Sequence, residues 1–277
     1  MRRAYCALKT RPHYRHEAFH AGLQAAGFHV ETRLPSAPPA PGDILVIWNR
    51  YSCDEQTADK WEAQGGTVLV AENGYIGQDG AGQQYYALAR HGHNGSGSWF
   101  CGGPERWDRL GIELKPWRER GEHVLVCPNR SFGPKGFAMP YGWDKSIIDE
   151  LRRVTRRPIR LRPHPQNSTP ARPLAEDLNN AWAVVIWASS AGVHALVAGV
   201  PVISLAPYWI CRTAALDDLR GIEGILGGEL RAAASTLRLL NMQRLAWAQW
   251  TIEEIAAGEP FGYLLPDTRQ AESLAAV

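Results

Sequence analysis

The stretch that most constrains the fold is residues 181–205, AWAVVIWASSAGVHALVAGVPVISL. Its pattern predicts a buried strand, a short helix and a second buried strand, at residues 183–187, 191–198 and 202–205. Ser189 or Ser190 suits the N-cap of the helix, and Gly199-Val200-Pro201 suits its end. Two buried strands joined by a helix predict a parallel sheet covered by helices.

The same alternation recurs in the first half of the chain. Predicted strands lie at residues 3–8, 28–32, 43–48 and 67–71, with helices at 16–26 and 54–64 between them. A new sheet begins at 123–127. We therefore predict an α/β fold of two Rossmann-like domains, 1–118 and 119–260.

Polar side chains follow three predicted strands of the second domain. Ser189 and Ser190 stand at a helix N-terminus, where free N–H groups favour an anion. Arg162 and His164 follow the strand at 158–161, and the carboxyl edge of such a sheet is where ligands bind. The predicted donor set is Arg130, Ser131, Arg162, His164, Ser189, Ser190 and Gly192. The alternative is an ordinary helix cap and a turn histidine.

These motifs also carry a family resemblance. RPHP at 162–165, followed by SSAGVHALVAGVPVI at 189–203, resembles the C-terminal half of GT-B glycosyltransferases. It is most similar to the capsular-polysaccharide and sialyltransferase-like groups, where a His-Pro and a Ser-Ser motif hold the donor nucleotide. The resemblance covers 124–205 well and the rest loosely.

The resemblance implies a GT-B fold with a cleft between the domains and a C-terminal segment, 261–277, that packs back on the first domain. It implies a nucleotide sugar, a UDP-sugar in our prediction, as co-substrate of a hexosyltransferase. Without a DxD-type acidic pair, we expect no metal and no further cofactor.

An inverting transferase needs a base for the acceptor hydroxyl. Glu72, in the segment VAENGYIG, is the first candidate because it follows the predicted strand 67–71 at the sheet edge. His93 is the second candidate and His91 the third, since histidine titrates near neutrality. The alternatives are a turn carboxylate and histidines that bond the loop backbone. The Gly-rich stretch 77–103 is predicted to be an acceptor-side loop, a hairpin turning at Asn94-Gly95, or both.

Composition narrows the class of protein. The formal net charge is only +2, and five cysteines without a CxxC motif predict reduced, mostly buried thiols. No apolar run is long enough to span a membrane. We expect a cytoplasmic protein without a membrane segment, as a monomer or weak dimer.

The acceptor is predicted from the N-terminal segment. Five cations precede the first acidic residue, Glu17: Arg2, Arg3, Lys9, Arg11 and Arg15. With the Gly- and aromatic-rich loop, they favour DNA as partner. The chain also resembles phage proteins that glycosylate hydroxymethylated pyrimidines. We therefore expect transfer to a 5-hydroxymethyl group in phage DNA, in the host cytoplasm. The alternatives are a capsular or other surface polysaccharide, a sugar-nucleotide epimerase, and a non-catalytic binding module.

Overall fold

The computed structural model describes residues 2–35, 37–133, 137–165, 172–220, 222–223 and 228–265. The strands are β1 (Arg3–Cys6), β2 (His29–Glu31), β3 (Ile44–Trp48), β4 (Thr67–Gln78), β5 (Gln84–Arg90), β6 (His123–Cys127), β7 (Ile159–Leu161), β8 (Ala181–Ile186), β9 (Val202–Ser204) and β10 (Gln249–Trp250). The α-helices are α1 (His16–Ala25), α2 (Cys53–Ala63), α3 (Glu105–Leu110), α4 (Trp143–Val154), α5 (Leu174–Leu178), α6 (Ala191–Val197), α7 (Gly228–Ala246), α8 (Ile252–Ala256) and α9 (Glu259–Leu264).

The chain divides into two compact units. The first unit combines Met1–Gly103 with Ala246–Val277, and the second unit is Pro104–Leu245. Residues 104–118, assigned by the sequence to the first domain, thus belong to the second unit, where the Lys115 N–H donates to the Val197 carbonyl.

The C-terminal part of the chain belongs to the first unit. Residues 246–260, assigned by the sequence to the second domain, lie there because β10 pairs with β5. Within the predicted segment 261–277, Phe261 and Leu264 are buried in the core of the first unit. Residues 266–277 lie outside the described residues.

The first unit is built on a six-stranded sheet in the order β10-β5-β4-β3-β1-β2. The four strands from β4 to β2 are parallel, whereas β5 and β10 run antiparallel to their neighbours. Alternate residues pack on opposite faces: Val46 and Leu69 face the core with α1, and Leu45 and Val68 face the core with α2. Burial on both faces explains why these strands are almost continuously apolar.

The sequence prediction for β4 is wrong at its end. Instead of ending at Ala71, the strand continues to Gln78 and pairs with β5 through a bulge between Asn73 and Gln78. The hairpin is closed by Asp79, whose carboxylate accepts from the N–H groups of Ala81 and Gln83 at 2.9 and 2.7 Å. About a third of the predicted Gly-rich loop is therefore strand.

The second unit contains a four-stranded parallel sheet in the order β7-β6-β8-β9. Its strands β6 and β8 are buried along their whole length. The amphipathic helix α4 packs on the sheet through Trp143, Ile147 and Leu151. The chain moves from β6 outward to β7 and then back past β6 to β8, so the order reverses between β6 and β8. In open α/β sheets this reversal opens a crevice at the carboxyl ends of the two strands.

Candidate functional site

Two groups of residues contain the candidates, one in each unit. In the second unit they lie on loops that follow strand ends, and in the first unit they lie on the loops after β3 and β5 and on a stretch inside β4. We define the second-sheet edge as residues 128–133, 162–165 and 187–192 of the second unit. The first-sheet edge comprises residues 49–52, 72–75 and 91–98 of the first unit. They contain every candidate site residue predicted from the sequence.

The second-sheet edge is held together at the reversal point. The side-chain oxygen of Asn129, after β6, accepts a hydrogen bond from the Ala188 N–H, after β8, at 2.9 Å. The indole N–H of Trp187 donates to the Phe137 carbonyl at 2.7 Å. These bonds fix the loops on both sides of the crevice. Sequence reasoning missed Asn129 and Trp187; the one signal for Asn129 was its place directly after a buried strand.

Arg130 and His164 act on each other electrostatically at this edge. Burial, and then the charge of Arg130, hold the pKa of His164 below its ordinary value of 6.5. The imidazole is therefore neutral at pH 7, with one nitrogen as donor and the other as acceptor. Arg130 itself lies with its guanidinium 5.5 Å from the ring centre of Phe132.

Arg162 is bound within the second unit. Its guanidinium forms an ion pair with Asp177 and donates to the Arg172 carbonyl at 2.7 Å. Arg162 and Asp177 side chains are only 14% and 16% exposed. Arg162 thus holds the loop that carries His164, in an arrangement that the sequence does not reveal.

The serines and Gly192 lie at the start of α6. The Ser189 hydroxyl accepts from the Ala191 N–H at 3.2 Å, and Ser190 is the exposed N-cap residue without a side-chain capping bond. Gly192 is buried, and a side chain there would meet Ile186 at 2.6 Å. It therefore allows α6 to pack closely on the sheet. Ser131 is exposed on the loop after β6.

At the first-sheet edge, Glu72 is half-buried and fixed by two donors. Its Oε1 accepts from the backbone N–H of Asn94 at 2.8 Å and from the hydroxyl of Tyr75. The Asn94 N–H also lies 3.2 Å from the Tyr75 hydroxyl oxygen. The carboxylate therefore has a defined orientation, although it lies within a strand rather than just after one.

The predicted Asn94-Gly95 turn is confirmed. The Ser96 N–H donates to the His93 carbonyl at 3.0 Å, and Asn94 and Gly95 both have positive φ, 47° and 90°. The loop is closed by a two-way backbone pairing of Arg90 with Ser98. This small hairpin folds back so that Asn94 reaches Glu72.

The three candidate bases have different partners in this region. His93 is next to Asn94, and within the described chain its buried Nδ1 has no hydrogen-bond partner. His91 instead pairs with Glu62, its Nδ1 lying 2.7 Å from Oε1 of that residue. Glu72 and His93 are therefore neighbours, whereas His91 is engaged on the side facing α2.

Unusual backbone conformations concentrate at the first-sheet edge. Asn49, Ser52, His91 and Asn94 all have positive φ, between 47° and 68°. A strained backbone conformation of this kind costs on the order of 1–3 kcal/mol, and it persists only where contacts with the surrounding structure hold the residue in place. Ser52, at φ 60° and ψ −131°, is the most strained of them. Strain of this kind clusters at functional sites.

Three of the five N-terminal cations that suggested DNA, Arg2, Arg3 and Arg15, make contacts within the first unit. Arg3 forms an ion pair with the buried Asp43 at 2.6 Å. Arg15 donates to the hydroxyl of Tyr86 at 3.0 Å, and the guanidinium of Arg2 lies 4.7 Å above an aromatic ring. These side chains stabilise the fold of the first unit, which lowers their weight as evidence for phosphate contacts.

All five cysteines are free in the structure, and three of them are buried, as the sequence predicts for most of them. Burial raises the pKa of Cys6 to about 11 and that of Cys127 to about 12, so neither is a thiolate nucleophile at neutral pH. Among the described residues, no cluster of three metal-ligating side chains forms. In the same part of the chain, none of the helices combines the length and the apolar character that crossing a bilayer requires.

Comparison with known proteins adds one finding on the fold. No protein-family model and no curated protein matches this sequence. Among solved structures the chain is similar to KpsC from Thermosulfurimonas dismutans, a β-Kdo 2,7 transferase, with 13% identity over 92% of this chain and 97% of that chain and a TM-score of 0.57. It is also similar to the β-Kdo 2,4 transferase of KpsC from the same organism, with 15% identity over 74% and 80% of the two chains and a TM-score of 0.47. The first likeness confirms the predicted fold class, α/β with two Rossmann-like units of the GT-B type.

Proposed function

We propose that this protein is a glycosyltransferase that moves a sugar from a nucleotide-sugar donor to a hydroxyl group. The observation that carries the proposal is the second-sheet edge, where Asn129, Arg130, His164 and the serines of α6 surround a reversal point of the sheet. The shared fold with a β-Kdo transferase over nearly the whole chain supports the same reaction class by analogy.

The second-sheet edge suits the nucleotide phosphate of the donor. Arg130 supplies a cation, His164 a neutral imidazole, and Ser189 and Ser190 supply hydroxyl donors. As the sugar leaves, negative charge grows on the phosphate oxygen, and these groups would stabilise it. In this assignment Arg162 acts through the loop it holds rather than by touching phosphate.

Glu72 is the proposed base. In an inverting reaction the acceptor oxygen attacks the anomeric carbon while its proton passes to the Glu72 carboxylate, and the nucleotide leaves with the electron pair of the broken bond. Because Asn94 and Tyr75 both donate to Oε1, Oε2 is the oxygen we assign to the proton. His93 is the alternative base because its Nδ1 is unpaired within the described residues.

The donor is proposed to be a sugar activated by a nucleotide. The sequence suggests a UDP-hexose, whereas the structurally similar protein is a Kdo transferase. The residues of the second-sheet edge bind phosphate and do not themselves distinguish uracil from cytosine. The test must therefore include both classes of donor.

The proposed acceptor is a saccharide hydroxyl, as in the capsular alternative. The fold likeness to a Kdo transferase favours it, and the internal contacts of Arg3 and Arg15 weaken the charge argument for DNA. Hydroxymethylated DNA is the second candidate, favoured by Phe100, which is 42% exposed in the loop after β5 and could stack on an extruded base.

The experiment is a donor and acceptor screen. The protein is incubated with UDP-hexoses and CMP-activated acidic sugars, alone, with oligosaccharides, or with hydroxymethylcytosine DNA, and nucleotide release and product mass are measured. We expect slow donor hydrolysis alone and transfer to a saccharide. Transfer to DNA and to no saccharide would mean that DNA is the acceptor. Isomerisation of the donor without any acceptor would indicate an epimerase. Tight binding of the donor without turnover would indicate a binding module.

A control variant separates the proposed site from general damage. Arg130→Ala should abolish most donor turnover because it removes the cation at the second-sheet edge. Arg152→Gln removes an exposed arginine of the second unit that pairs with Asp149 and should leave turnover unchanged. Equal loss in both variants would argue against the assigned site.

A further inference from the structure

A network of charged side chains joins the loops of the first-sheet edge to helix α2. The reaction described above gives it no role. Arg50 donates to both carboxylate oxygens of Glu62, at 3.1 and 2.6 Å, and to Asp59 at 2.6 Å. It also donates to the backbone carbonyl of His91. The Arg50 side chain is only 13% exposed. We call Arg50, Asp59, Glu62 and His91 the Arg50 network.

The Arg50 network joins three separate parts of the first unit. Arg50 lies after β3, Asp59 and Glu62 lie on α2, and His91 begins the loop after β5. The second link to that loop is the 2.7 Å contact between His91 Nδ1 and Glu62 Oε1. Backbone and side chain of His91 are thus both fixed, which explains how this residue holds a positive φ of 68°.

The loop at 91–98 is compact, so the position of His91 determines where the rest of the loop lies. Its ends pair at Arg90 and Ser98, and a side chain at Gly97 would collide with the backbone of Gly92. The Ser96 hydroxyl donates to the His93 carbonyl at 2.7 Å and accepts from the His93 N–H at 3.1 Å. These contacts join the residues from His91 to Ser98 into one compact loop.

The turn of this loop, at Asn94, contacts the side chain of Glu72. The Asn94 N–H, three residues after His91, donates to Oε1 of Glu72 at 2.8 Å. A shift of the loop by about 1 Å would break this bond and move His93 with it. Catalytic groups need positions fixed at about this precision.

We propose that Arg50, Glu62 and His91 are positioning residues, which hold the loop at 91–98 so that its Asn94 amide fixes the Glu72 carboxylate. The catalytic meaning of this contact rests on the proposed function, but the contact itself can be measured without any substrate. The variants are Arg50→Gln, which removes the charge and the fork of donors, and Glu62→Gln, which keeps the shape of the acceptor. Arg50→Lys restores the charge alone.

The first measurement is amide hydrogen exchange of the substrate-free protein. In Arg50→Gln we expect the Asn94 amide to exchange at least about tenfold faster, while the Leu88 amide, bonded to Ala248 in the sheet, keeps its rate. Glu62→Gln should give a smaller acceleration and Arg50→Lys a partial recovery. Arg152→Gln, in an exposed pair of the second unit, is the matched control and should change neither rate.

The second measurement is the kinetics of transfer. Arg50→Gln should lower kcat about tenfold or more and leave the KM for the donor unchanged, because the donor site lies on other residues. Unchanged Asn94 exchange in folded Arg50→Gln and Glu62→Gln would overturn the proposal, as would a rise in donor KM without loss of kcat. If Arg50→Gln does not fold, Glu62→Gln alone decides by the same readouts. Faster Asn94 exchange in a protein that transfers no sugar with any donor would refute the proposed function and leave the positioning contact standing.

Discussion

The two sheet edges are assembled in different ways. At the second-sheet edge, each candidate side chain lies within a few residues of a strand end, and the crevice follows from the order of four parallel strands. At the first-sheet edge, Glu72 is held by residues from β4 and the loop after β5, while Gln249 of β10 bonds the backbone of β4. At the second-sheet edge the long-range bonds, such as that of Asn129 to Ala188, join the loops, whereas at the first-sheet edge the bonds from other elements hold the candidate carboxylate itself.

This difference has an energetic consequence. A side chain on a short loop after a strand can be replaced with little effect on the sheet, because the backbone of the strand is already paired. A group that is held by long-range hydrogen bonds loses its position when any partner is removed. We therefore expect substitutions at the second-sheet edge to change binding, and those at the first-sheet edge to change rate or stability.

The largest effect is expected for Glu72→Gln, which keeps the shape of the side chain and removes the base. The chemical step should slow on the order of 10²–10⁴-fold, the usual contribution of a general base, while donor affinity stays nearly constant. Single-turnover rates and calorimetric titration with the donor nucleotide measure the two quantities. If the single-turnover rate stays near normal in Glu72→Gln and falls strongly in His93→Ala, His93 is the base. If it falls strongly in neither variant, the reaction is a retaining one.

The next largest effect is expected for Gln249→Ala, a test of the long-range character of the first unit. Gln249 is 1% exposed; its side chain accepts from the N–H groups of Tyr75 and Ile76 at 2.9 and 3.2 Å and donates to the Ile76 carbonyl at 2.6 Å. Removing it leaves buried backbone groups unpaired, and each costs about 1–3 kcal/mol. We expect the free energy of unfolding of the first unit to fall by about 3 kcal/mol.

Denaturant titration measures this loss. Ser131→Ala, at an exposed position of the second unit, is the control and should change the free energy of unfolding by less than about 0.5 kcal/mol. If Gln249→Ala changes the free energy of unfolding by as little as Ser131→Ala does, water must replace the hydrogen bonds of the lost amide. The proposed contrast between the two sheet edges would then be wrong.

The same contrast explains what the sequence could predict. The strands of the second unit are short apolar runs with turn residues at each end, so β6, β8 and β9 and the loops after them follow from local patterns. The Asn94-Gly95 turn follows from its two residues for the same reason. The positions of Arg130, Arg162 and Ser189 shortly after strands therefore follow from the sequence.

The rest depends on contacts between distant residues. The sequence does not indicate that β4 continues past Glu72, because a bulge interrupts its pairing with β5 between Asn73 and Gln78. The clamp by Gln249 comes from 174 residues beyond Tyr75. The Asn129–Ala188 bond and the Arg162–Asp177 ion pair also join separate segments. A single sequence gives residue types and local periods, but not these pairings.

A smaller effect is expected at the second-sheet edge for His164→Ala. The variant should bind the donor nucleotide about tenfold more weakly, the value of one good hydrogen bond to a charged group, and should unfold like the wild-type protein. Ser190→Ala should show a similar but weaker change. Calorimetric titration with nucleotide measures both, with Arg152→Gln as control. Unchanged affinity in both variants would remove the donor site from this edge.

The smallest effect concerns the stability of the second unit in acid. His123 is fully buried, and its Nε2 lies 3.1 Å from the Asp177 carbonyl. Burial, the largest cause, holds the pKa of His123 below its ordinary value of 6.5. The folded state therefore binds this proton more weakly than the unfolded state, so stability is fully present above about pH 6.5 and falls as the pH drops below it.

The measurement is the free energy of unfolding between pH 7.5 and 5. One proton contributes at most about 1.4 kcal/mol per pH unit. The pKa of His164 is also lowered, by burial and Arg130, and adds a slope of the same sign. His123→Gln keeps a donor for the Asp177 carbonyl but does not titrate, so its stability should fall less steeply in acid than that of the wild type. An identical slope in the two proteins would mean that His123 accepts its proton without cost to the fold. The second unit would then owe its acid sensitivity to other groups, such as His164 and His194, whose pKa values burial also lowers.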